Sequence, residues 1–330
     1  MSMREQISLM PAQFHWEPTY ERENKLSKDS LQNVFLCGMG GSHLGADLLL
    51  REAPALPLTV RHEYSLPIIP EEQLAHTLVI VSSYSGETEE ALDVLHTALQ
   101  ENIPCAAITS GGTLLAQARD AGIPTIIFPK DGVEPRMTLG YALRALTKLL
   151  NEEELFANIK KSGEELSTDT REKEGASLAD IFAHKIPVFY TSTRNVAVGY
   201  ILKITLNETA KIPAFANTIP EACHNELSGY DAVASSKEII HTLLPVFVTD
   251  EKDHPRIRAR MRLMREIFTK REISSCEMAI APQLSSLAGA IEVIQTGTSV
   301  AVELAKRDGV PDAHTPIIDD FKQRLAKIPW

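Results

Sequence analysis

Cysteine is scarce in this chain of 330 residues, and its four cysteines are far apart: Cys37, Cys105, Cys223 and Cys276. They form no C-x-x-C pair, so neither a zinc site nor a disulfide framework is indicated. The chain also lacks an apolar run of about 18 residues and the pattern of a secretory signal. These absences predict a reduced, cytoplasmic protein that needs no metal and does not enter a membrane.

Basic runs are missing as well. The formal net charge is -11 and the pI is near 5.4, which argues against a nucleic-acid binder, because nothing would neutralise the phosphates. The hydrophobic content of 44% and the charged content of 23% are typical of a soluble globular protein with room for two domains. An anionic substrate must therefore be held by a local site rich in cations and N–H groups.

The most informative stretch is residues 77–90, which read TLVIVSSYSGETEE. Residues 78–81 have the length and β-branched content of a buried strand, and leucines at helical spacing follow the stretch. Between strand and helix lie four hydroxyls around Gly86: Ser82, Ser83, Ser85 and Thr88. This arrangement is typical of a phosphate site, where N–H groups and the helix dipole face the anion. The alternative is that Ser85 or Thr88 caps the helix and the other hydroxyls are solvated.

Alternating strand and helix patterns predict an α/β fold with parallel sheets. Strands are predicted at residues 33–37, 58–62, 78–81, 105–109, 124–128, 187–191, 214–217, 243–249 and 275–280. Helices are predicted between them, including residues 88–100, 195–211, 255–271 and 285–307. Residues 151–184 are charged and poor in large apolar side chains. We therefore expect a domain at 1–150, a connecting helical segment at 151–184 and a second domain at 185–330.

A second glycine-rich turn, GMGGSHLG, occupies residues 38–45 after a predicted strand. A dinucleotide site would need glycine where His43 stands, although Glu63 lies near the place of a ribose-binding acid. A P-loop is excluded, because Ala46 and Asp47 occupy the Lys-Ser/Thr positions. The turn, with Ser42 at a helix start, suits a small anion or a sugar hydroxyl; a turn that only packs closely is the alternative.

Two charged side chains in the middle of the chain are candidates for catalysis. Arg136 precedes a predicted helix and could stabilise an anionic intermediate, although a lone arginine is more often a surface ion pair. Glu208 continues the apolar stripe of the predicted helix at residues 195–211. A buried carboxylate there would have a raised pKa and suit a general base. The alternative places Glu208 at the solvent edge, paired with Lys211.

Three further candidates lie downstream. His224 could carry protons near neutral pH, although a structural histidine is commoner. Thr315 is a predicted helix N-cap with Pro316 at the first helical position. Lys322 follows seven residues later on the same side of that helix, where Asp319 and Asp320 are equally consistent with a plain solvated face.

Taken together, these segments resemble the sugar isomerase (SIS) fold, and in particular the bifunctional phosphoglucose/phosphomannose isomerases. The resemblance extends over about residues 30–325 and rests on ordered motifs. They are GMGGS at 38–42, SYSGET at 83–88, Pro135-Arg136 with LGY at 139–141, Asn207-Glu208, HNE at 224–226, and Thr315 with Lys322.

The resemblance implies two flavodoxin-like SIS subdomains, each with a parallel five-stranded sheet. It also implies a homodimer with sites near the interface and a histidine from the neighbouring subunit. Glu208 would move the proton between C1 and C2, His224 and Lys322 would serve ring opening, and Arg136 would stabilise the enediolate. Thr315 is associated with accepting both C2 epimers. The sugar phosphate would bind at Gly41, Ser42, Ser83, Ser85 and Thr88, with no cofactor and no metal.

Departures from the family pattern concern neighbours of these residues. His43 and Ala46 stand where smaller residues are common, and Met137-Thr138 replaces a small pair. These changes affect the expected epimer preference and rate more than the chemistry. A non-catalytic SIS regulator that binds a phosphosugar is the alternative function, although no basic extension suggests a DNA-binding domain. The isomerase half of a glucosamine-6-phosphate synthase ranks last.

Overall fold

Backbone contacts divide the chain into two compact units, each with its own sheet. The structure is a computed structural model that describes residues 1–22, 31–167, 169–231 and 233–328. The N-terminal unit comprises Leu9–Leu166 and Ser285–Ala288. The C-terminal unit comprises Met1–Ser8, Ser167–Leu284 and Gly289–Trp330. The domain boundaries expected from the sequence stay a prediction about which parts of the chain fold independently.

The N-terminal unit has a six-stranded sheet in the order β1-β6-β5-β4-β2-β3. Its strands are β1 (Tyr20–Arg22), β2 (Asn33–Cys37), β3 (Leu58–Arg61), β4 (Thr77–Ser83), β5 (Cys105–Thr109) and β6 (Thr125–Ile127). Strands β2 to β6 are parallel, and β1 pairs with β6 in the antiparallel direction at one edge. Every residue of β4 is buried, as expected of a central strand covered on both faces.

The described residues of this part of the chain also form seven α-helices, of which α1 begins in the C-terminal unit. They are α1 (Met3–Gln13), α2 (Leu44–Glu52), α3 (Glu71–Leu74), α4 (Glu89–Gln100), α5 (Gly112–Ala121), α6 (Leu139–Leu149) and α7 (Glu153–Glu164). Helix α4 packs Val94 and Leu95 into one core cluster with Val79 and Val81 of β4. Each such fully buried side chain contributes about 1.5–3 kcal/mol to stability. The apolar spacing that predicted this helix is therefore also what attaches it to the sheet.

The C-terminal unit has a parallel sheet in the order β10-β9-β7-β8. Its strands are β7 (Ile186–Ser192), β8 (Phe215–Ile219), β9 (Leu243–Thr249) and β10 (Cys276–Ala279). Its helices are α8 (Asp169–Phe182), α9 (Val196–Thr205), α10 (Lys237–Thr242), α11 (Pro255–Lys270), α12 (Ser286–Asp308), which begins in the N-terminal unit, and α13 (Pro316–Leu325). Among the described residues this sheet has four strands, one fewer than expected, because no strand follows β10 before the long helix α12.

Both units use one strand order. In each sheet the first parallel strand lies between the second and the third, as in flavodoxin-like folds. The order of the strands reverses beside that first strand, so the loops that leave β2 and β4 meet, as do those that leave β7 and β9. Such a topological switch point at the carboxyl edge is where ligands bind in open α/β sheets. The predicted α/β class with parallel sheets is confirmed.

The predicted elements are present with small shifts of their ends. The charged stretch after residue 150 forms two helices, α7 and α8, and the strand predicted at 214–217 becomes Phe215–Ile219. The main correction concerns the helix predicted at 195–211. It ends at Thr205 and continues as a π-helical turn, Leu206–Ala210. None of the helices formed by the described residues is long and apolar enough to cross a membrane.

The four cysteines are free thiols with different environments. Burial raises the pKa of Cys37 to about 12 and that of Cys105 to about 11, and it also raises the pKa of Cys276. Cys223 is only half-buried, with its Sγ 3.5 Å from Sδ of Met264.

We therefore expect a disulfide reagent to modify Cys223 first in the native protein, because the thiolate is the reactive form and the other thiols are buried and neutral. The measurement is a spectrophotometric thiol count at mildly alkaline pH, with Cys223→Ser as the matched control. The folded Cys223→Ser variant should react slowly, and denaturant should make its three remaining thiols reactive. Rapid native labelling of Cys37 or Cys105 would contradict this assignment.

Candidate active site

The loops that leave β2 and β4 are joined by hydrogen bonds at the switch point of the N-terminal unit. Ser82 Oγ donates to the Ser42 carbonyl oxygen at 2.8 Å, and Tyr84 N donates to Ser42 Oγ at 3.1 Å. A Cβ on Gly38 would lie 2.7 Å from the Ser82 carbonyl oxygen, so only glycine permits this approach. The glycine turn (residues 38–42) and the hydroxyl loop (residues 83–88) therefore form one surface.

Hydrogen bonds within the hydroxyl loop determine its shape. Ser83 is fully buried, and its Oγ lies 2.8 Å from Thr88 Oγ1 and accepts from Gly86 N at 3.1 Å. Thr88 occupies the N-cap position of α4 but makes no side-chain cap bond. Ser85 is exposed and accepts from Glu87 N at 3.2 Å. The alternative in which Ser85 or Thr88 caps α4 is thus wrong, and Ser83 supports the loop from beneath.

A third loop, after β5, supports the hydroxyl loop from the side. Gly86 has a φ of +74°, and a Cβ there would lie 1.9 Å from the Gly111 carbonyl oxygen. Leu114 N donates to the Gly86 carbonyl oxygen at 2.9 Å. No motif considered above predicts this contact; the Gly111-Gly112 pair after a predicted strand is the signal for it in the sequence.

Arg136 belongs to a 3-10 turn, Pro135–Met137, that packs against the glycine turn. A Cβ on Gly41 would lie 2.5 Å from Pro135 C and 2.6 Å from Arg136 N, so the two backbones are in direct contact. Arg136 is 4% exposed, and its Nη1 lies 3.5 Å from Glu134 Oε2. The expectation of a surface ion pair is corrected, because Arg136 is buried where its turn packs against the backbone of Gly41.

Gln13 of α1 holds the arginine turn from the other side. Its Nε2 donates to the Met137 carbonyl oxygen at 2.9 Å, and its Oε1 accepts from Gly140 N at 3.1 Å. Gln13 is buried, so both ends of its amide are used within the protein. No sequence pattern pointed to this residue, because its partners are more than a hundred positions away.

His43, which departs from the family pattern, is used inside the fold. It is buried, its Nδ1 lies 2.7 Å from Asp47 Oδ2, and its ring stacks on His62 with centroids 5.5 Å apart. The contacts of the His43 ring with Asp47 and His62 show how this large side chain is accommodated next to Ser42.

In the C-terminal unit, Glu208 lies in the π-helical turn that extends α9. The Lys211 N–H bonds to the Leu206 carbonyl oxygen, which is the i→i+5 pattern of a π turn and is common at functional sites. The extra residue changes which side chains follow the apolar stripe: Thr209 and Ala210 are buried, and Glu208 is half-buried. Glu208 therefore stands at the margin of the core, which corrects the regular helix assumed from the sequence.

Lys211 connects the Glu208 turn to the start of α13. It adopts a left-handed conformation with φ of 59°, and its Nζ donates to the carbonyl oxygens of Glu208 and His314, the latter at 2.6 Å. The Lys211 cation thus contacts the backbone of Glu208. Thr315 occupies the N-cap position of α13 and is half-buried, while Lys322 on that helix is exposed. The structure brings Glu208 and Thr315 onto neighbouring segments.

His224 is exposed at the end of the 3-10 turn Glu221–Cys223. The segment is anchored two residues later by Glu226, which accepts hydrogen bonds from Tyr190 OH and, at 2.6 Å, from Asn217 Nδ2. Tyr230 OH lies 3.0 Å from Tyr190 OH. Burial raises the pKa of Tyr190 and raises that of Tyr230 to about 12, so both remain neutral donors.

A cavity of about 480 Å³ in the C-terminal unit borders this anchored segment. The residues that line it include Tyr200, Lys203, Phe215, Asn217, Glu226 and Tyr230. The described residues contain no group of three or more His, Cys, Asp or Glu side chains arranged to hold a metal ion.

Comparisons with known proteins show which family this chain is similar to. Residues 171–325 match the family described as the bacterial phospho-glucose isomerase C-terminal SIS domain. The chain is 30% identical over 349 residues to the bifunctional phosphoglucose/phosphomannose isomerase of Caldicellulosiruptor bescii, covering 99% of both chains. The chain belongs to the bifunctional phosphoglucose/phosphomannose isomerase family.

One more relative and one solved structure are similar to this chain. The Aquifex aeolicus isomerase of the same name is 27% identical over 327 residues, covering 96% of this chain and 95% of that one. A hypothetical protein of Thermus thermophilus has the same fold, with a TM-score of 0.70 at 16% identity, covering 98% of this chain and 88% of that chain. The resemblance stated from the motifs is thereby confirmed.

Gly41→Ala tests the contact that places Arg136. The new methyl group would lie within 2.7 Å of three backbone atoms of Pro135 and Arg136, which cannot move aside as a flexible side chain could. We expect a loss of about 1–3 kcal/mol in stability, the usual cost of overpacking, and a larger proportional loss of isomerase activity. Calorimetry and a coupled assay measure the two effects. Gly229→Ala is the matched control, because its Cβ meets no atom within 4 Å. Equal behaviour of the two variants would refute the contact's importance.

Proposed function

We propose that this protein interconverts glucose 6-phosphate, and also mannose 6-phosphate, with fructose 6-phosphate. The observation that carries the proposal is the 30% identity over 99% of a relative named for both activities. It is supported by a hydroxyl-rich loop at a helix N-terminus and by a half-buried carboxylate on a π turn. Proton transfer between adjacent carbons needs a general base, a role that a carboxylate can fill, and no redox group.

The phosphate group binds, in this proposal, at the switch point of the N-terminal unit. Ser42, Ser85 and Thr88 keep exposed or half-exposed hydroxyls there, and Ser83 and Gly41 hold the loops in place. The first N–H groups of α4 have no side-chain cap, and the positive end of the helix dipole attracts an anion. Arg136 stabilises the enediolate, since a buried guanidinium interacts strongly with a developing negative charge.

Glu208 is the proposed base. The aldose opens with the help of His224 and Lys322, and Glu208 removes the C2 proton to form a cis-enediol. Reprotonation at C1 gives the ketose, and proton delivery to either face of C2 returns one aldose or its epimer. Thr315, next to the Glu208 turn through the Lys211 bridge, is the residue we assign to acceptance of both epimers.

Glu208→Gln is expected to lose about 10²–10⁴-fold in turnover, the usual contribution of a general base, with sugar-phosphate binding retained. The readouts are isomerisation of both epimers without added metal, and exchange of solvent deuterium into the sugar. Glu101→Gln, an exposed change at the end of α4, is the matched control. Full turnover by Glu208→Gln would remove it as the base. A wild-type protein that binds sugar phosphate without any exchange would instead be a non-catalytic sensor.

The proposed assembly is a homodimer with sites near the interface. Its support is a set of exposed apolar side chains in the C-terminal unit: Phe215 at 54%, Ile317 at 83% and Phe321 at 63%. Apolar surface of this kind is typical of a surface covered by a partner. We propose that His224, on an exposed turn, serves the neighbouring subunit. The free thiols and the net charge of -11 support a cytoplasmic protein that binds neither nucleic acid nor membrane.

Mixing two inactive variants tests the exchange of His224. Glu208→Gln and His224→Ala chains are unfolded and refolded together, so that half of the dimers are mixed. If His224 acts on the neighbour, each mixed dimer regains one intact site, and about a quarter of the wild-type activity returns. Each variant treated alone is the control. A mixture that stays inactive, although mixed dimers are present by mass spectrometry, would show that His224 acts within its own chain.

A further inference from the structure

The switch point of the C-terminal unit carries chemistry opposite to that of the N-terminal unit. The loop after β7 contains Ser192 and Asn195, and the loop after β9 contains Asp250 and Asp253. The loop after β9 occupies the same topological position as the loop after β4 in the N-terminal unit, which is the hydroxyl loop. The same topological position therefore holds hydroxyl groups in one unit and carboxylates in the other.

The donors of this second switch point face Asp253. Ser192 Oγ donates to Asp253 Oδ1 at 2.6 Å, and Asn195 Nδ2 lies 3.2 Å from the same oxygen. Ser192 is 5% exposed, Asn195 is 0% exposed and Asp253 is 4% exposed. A hydroxyl and an amide that converge on a buried carboxylate oxygen are the donors that would otherwise bind a phosphate oxygen.

Asp250 and Arg194 complete the cluster. Arg194 forms an ion pair with Asp250 Oδ2, which also lies 3.3 Å from Asn195 Nδ2. Asp250 Oδ1 accepts from the backbone N of Lys252 at 2.9 Å. Asp250 is itself 4% exposed, whereas the Arg194 side chain is 32% exposed, so the two carboxylates are buried and the arginine is partly exposed to solvent.

One oxygen of the cluster is unsatisfied. Asp253 Oδ2 is buried and has no hydrogen-bond partner among the described residues. An unpaired buried carboxylate oxygen costs stability, so the side chain is held there by the bonds to its other oxygen. If this carboxylate served only to stabilise the fold, we would expect both of its oxygens to accept hydrogen bonds.

We propose that the switch point of the C-terminal unit is a second site for a phosphate-class anion, kept closed by the chain's own Asp253 carboxylate. The carboxylate accepts from the donors that a phosphate oxygen would use. Because the carboxylate is part of the chain, it loses no translational entropy when it binds there, whereas a free phosphate does. An incoming phosphate would also be repelled by Asp250 and Asp253. Asp253 thus leaves this unit unable to take a phosphate. It follows that each chain binds a single sugar phosphate, and only this consequence rests on the function proposed above.

The variant Asp250→Asn/Asp253→Ala tests the proposal. It removes both negative charges and opens the space, while Asn at position 250 keeps an acceptor for the Lys252 N–H. Ser192, Arg194 and Asn195 can then bind an anion. Asp250→Asn/Asp253→Asn is the matched control, because it makes the same change of charge but leaves an amide in the space of the carboxylate.

The probe is inorganic phosphate, titrated into the full-length protein by calorimetry, with folding checked by circular dichroism. The expected result is one more phosphate per chain in the Asp253→Ala variant than in the wild type or the control. Because the readout is a difference, a wild type that binds no phosphate would contradict the proposed hydroxyl-loop site and leave this inference intact. A folded variant without the additional phosphate would overturn it.

A measurement on the wild type decides the matter if the variant does not fold. Wild-type crystals soaked in phosphate should show no anion within hydrogen-bond distance of Ser192 Oγ and Asn195 Nδ2. An anion at these two atoms, with Asp253 displaced, would overturn the proposal, since the carboxylate would then not close the site.

Discussion

The reversal of strand order beside the first parallel strand of each sheet is the constraint on which this structure depends. Parallel strands end at one edge, and at the reversal the chain leaves two neighbouring strands toward opposite faces of the sheet, which opens a crevice between the two loops. In the N-terminal unit the hydrogen bonds from Ser82 Oγ and Tyr84 N to Ser42 close that gap. The arginine turn then packs on the glycine turn at Gly41, so Arg136 depends on the same arrangement.

The two units use this one backbone for different purposes. In the N-terminal unit, small hydroxyls leave the helix N-terminus uncapped and accessible to an anion. In the C-terminal unit, Ser192 donates to Asp253, and Glu208, the carboxylate we propose as the base, lies in the π turn after α9. In our proposal, a repeated fold thus supplies the phosphate-binding surface once and a carrier of catalytic groups once. The difference is one of side-chain charge at the loops, since the strand order is shared.

The π turn shows why helical periodicity alone misplaced the side chain of Glu208. From the sequence, Glu208 followed the stripe of Ile201 and Ile204, as it would in a regular helix. The π turn inserts a residue, so Thr209 and Ala210 enter the core and Glu208 moves to its margin. The turn ends at Lys211, whose left-handed backbone and two carbonyl contacts belong to tertiary structure. No local pattern of residues reports contacts of that kind.

The sequence by itself determined the α/β class, most strands and helices, and the family, because apolar periodicity and ordered motifs are local properties of the chain. Tertiary structure decided which hydroxyls of the loop face outward, that Arg136 is buried, and that Gln13 holds the arginine turn. It also decided the environment of Asp253. These outcomes depend on atoms brought together from distant positions, whose packing and hydrogen bonds are not encoded in any one segment.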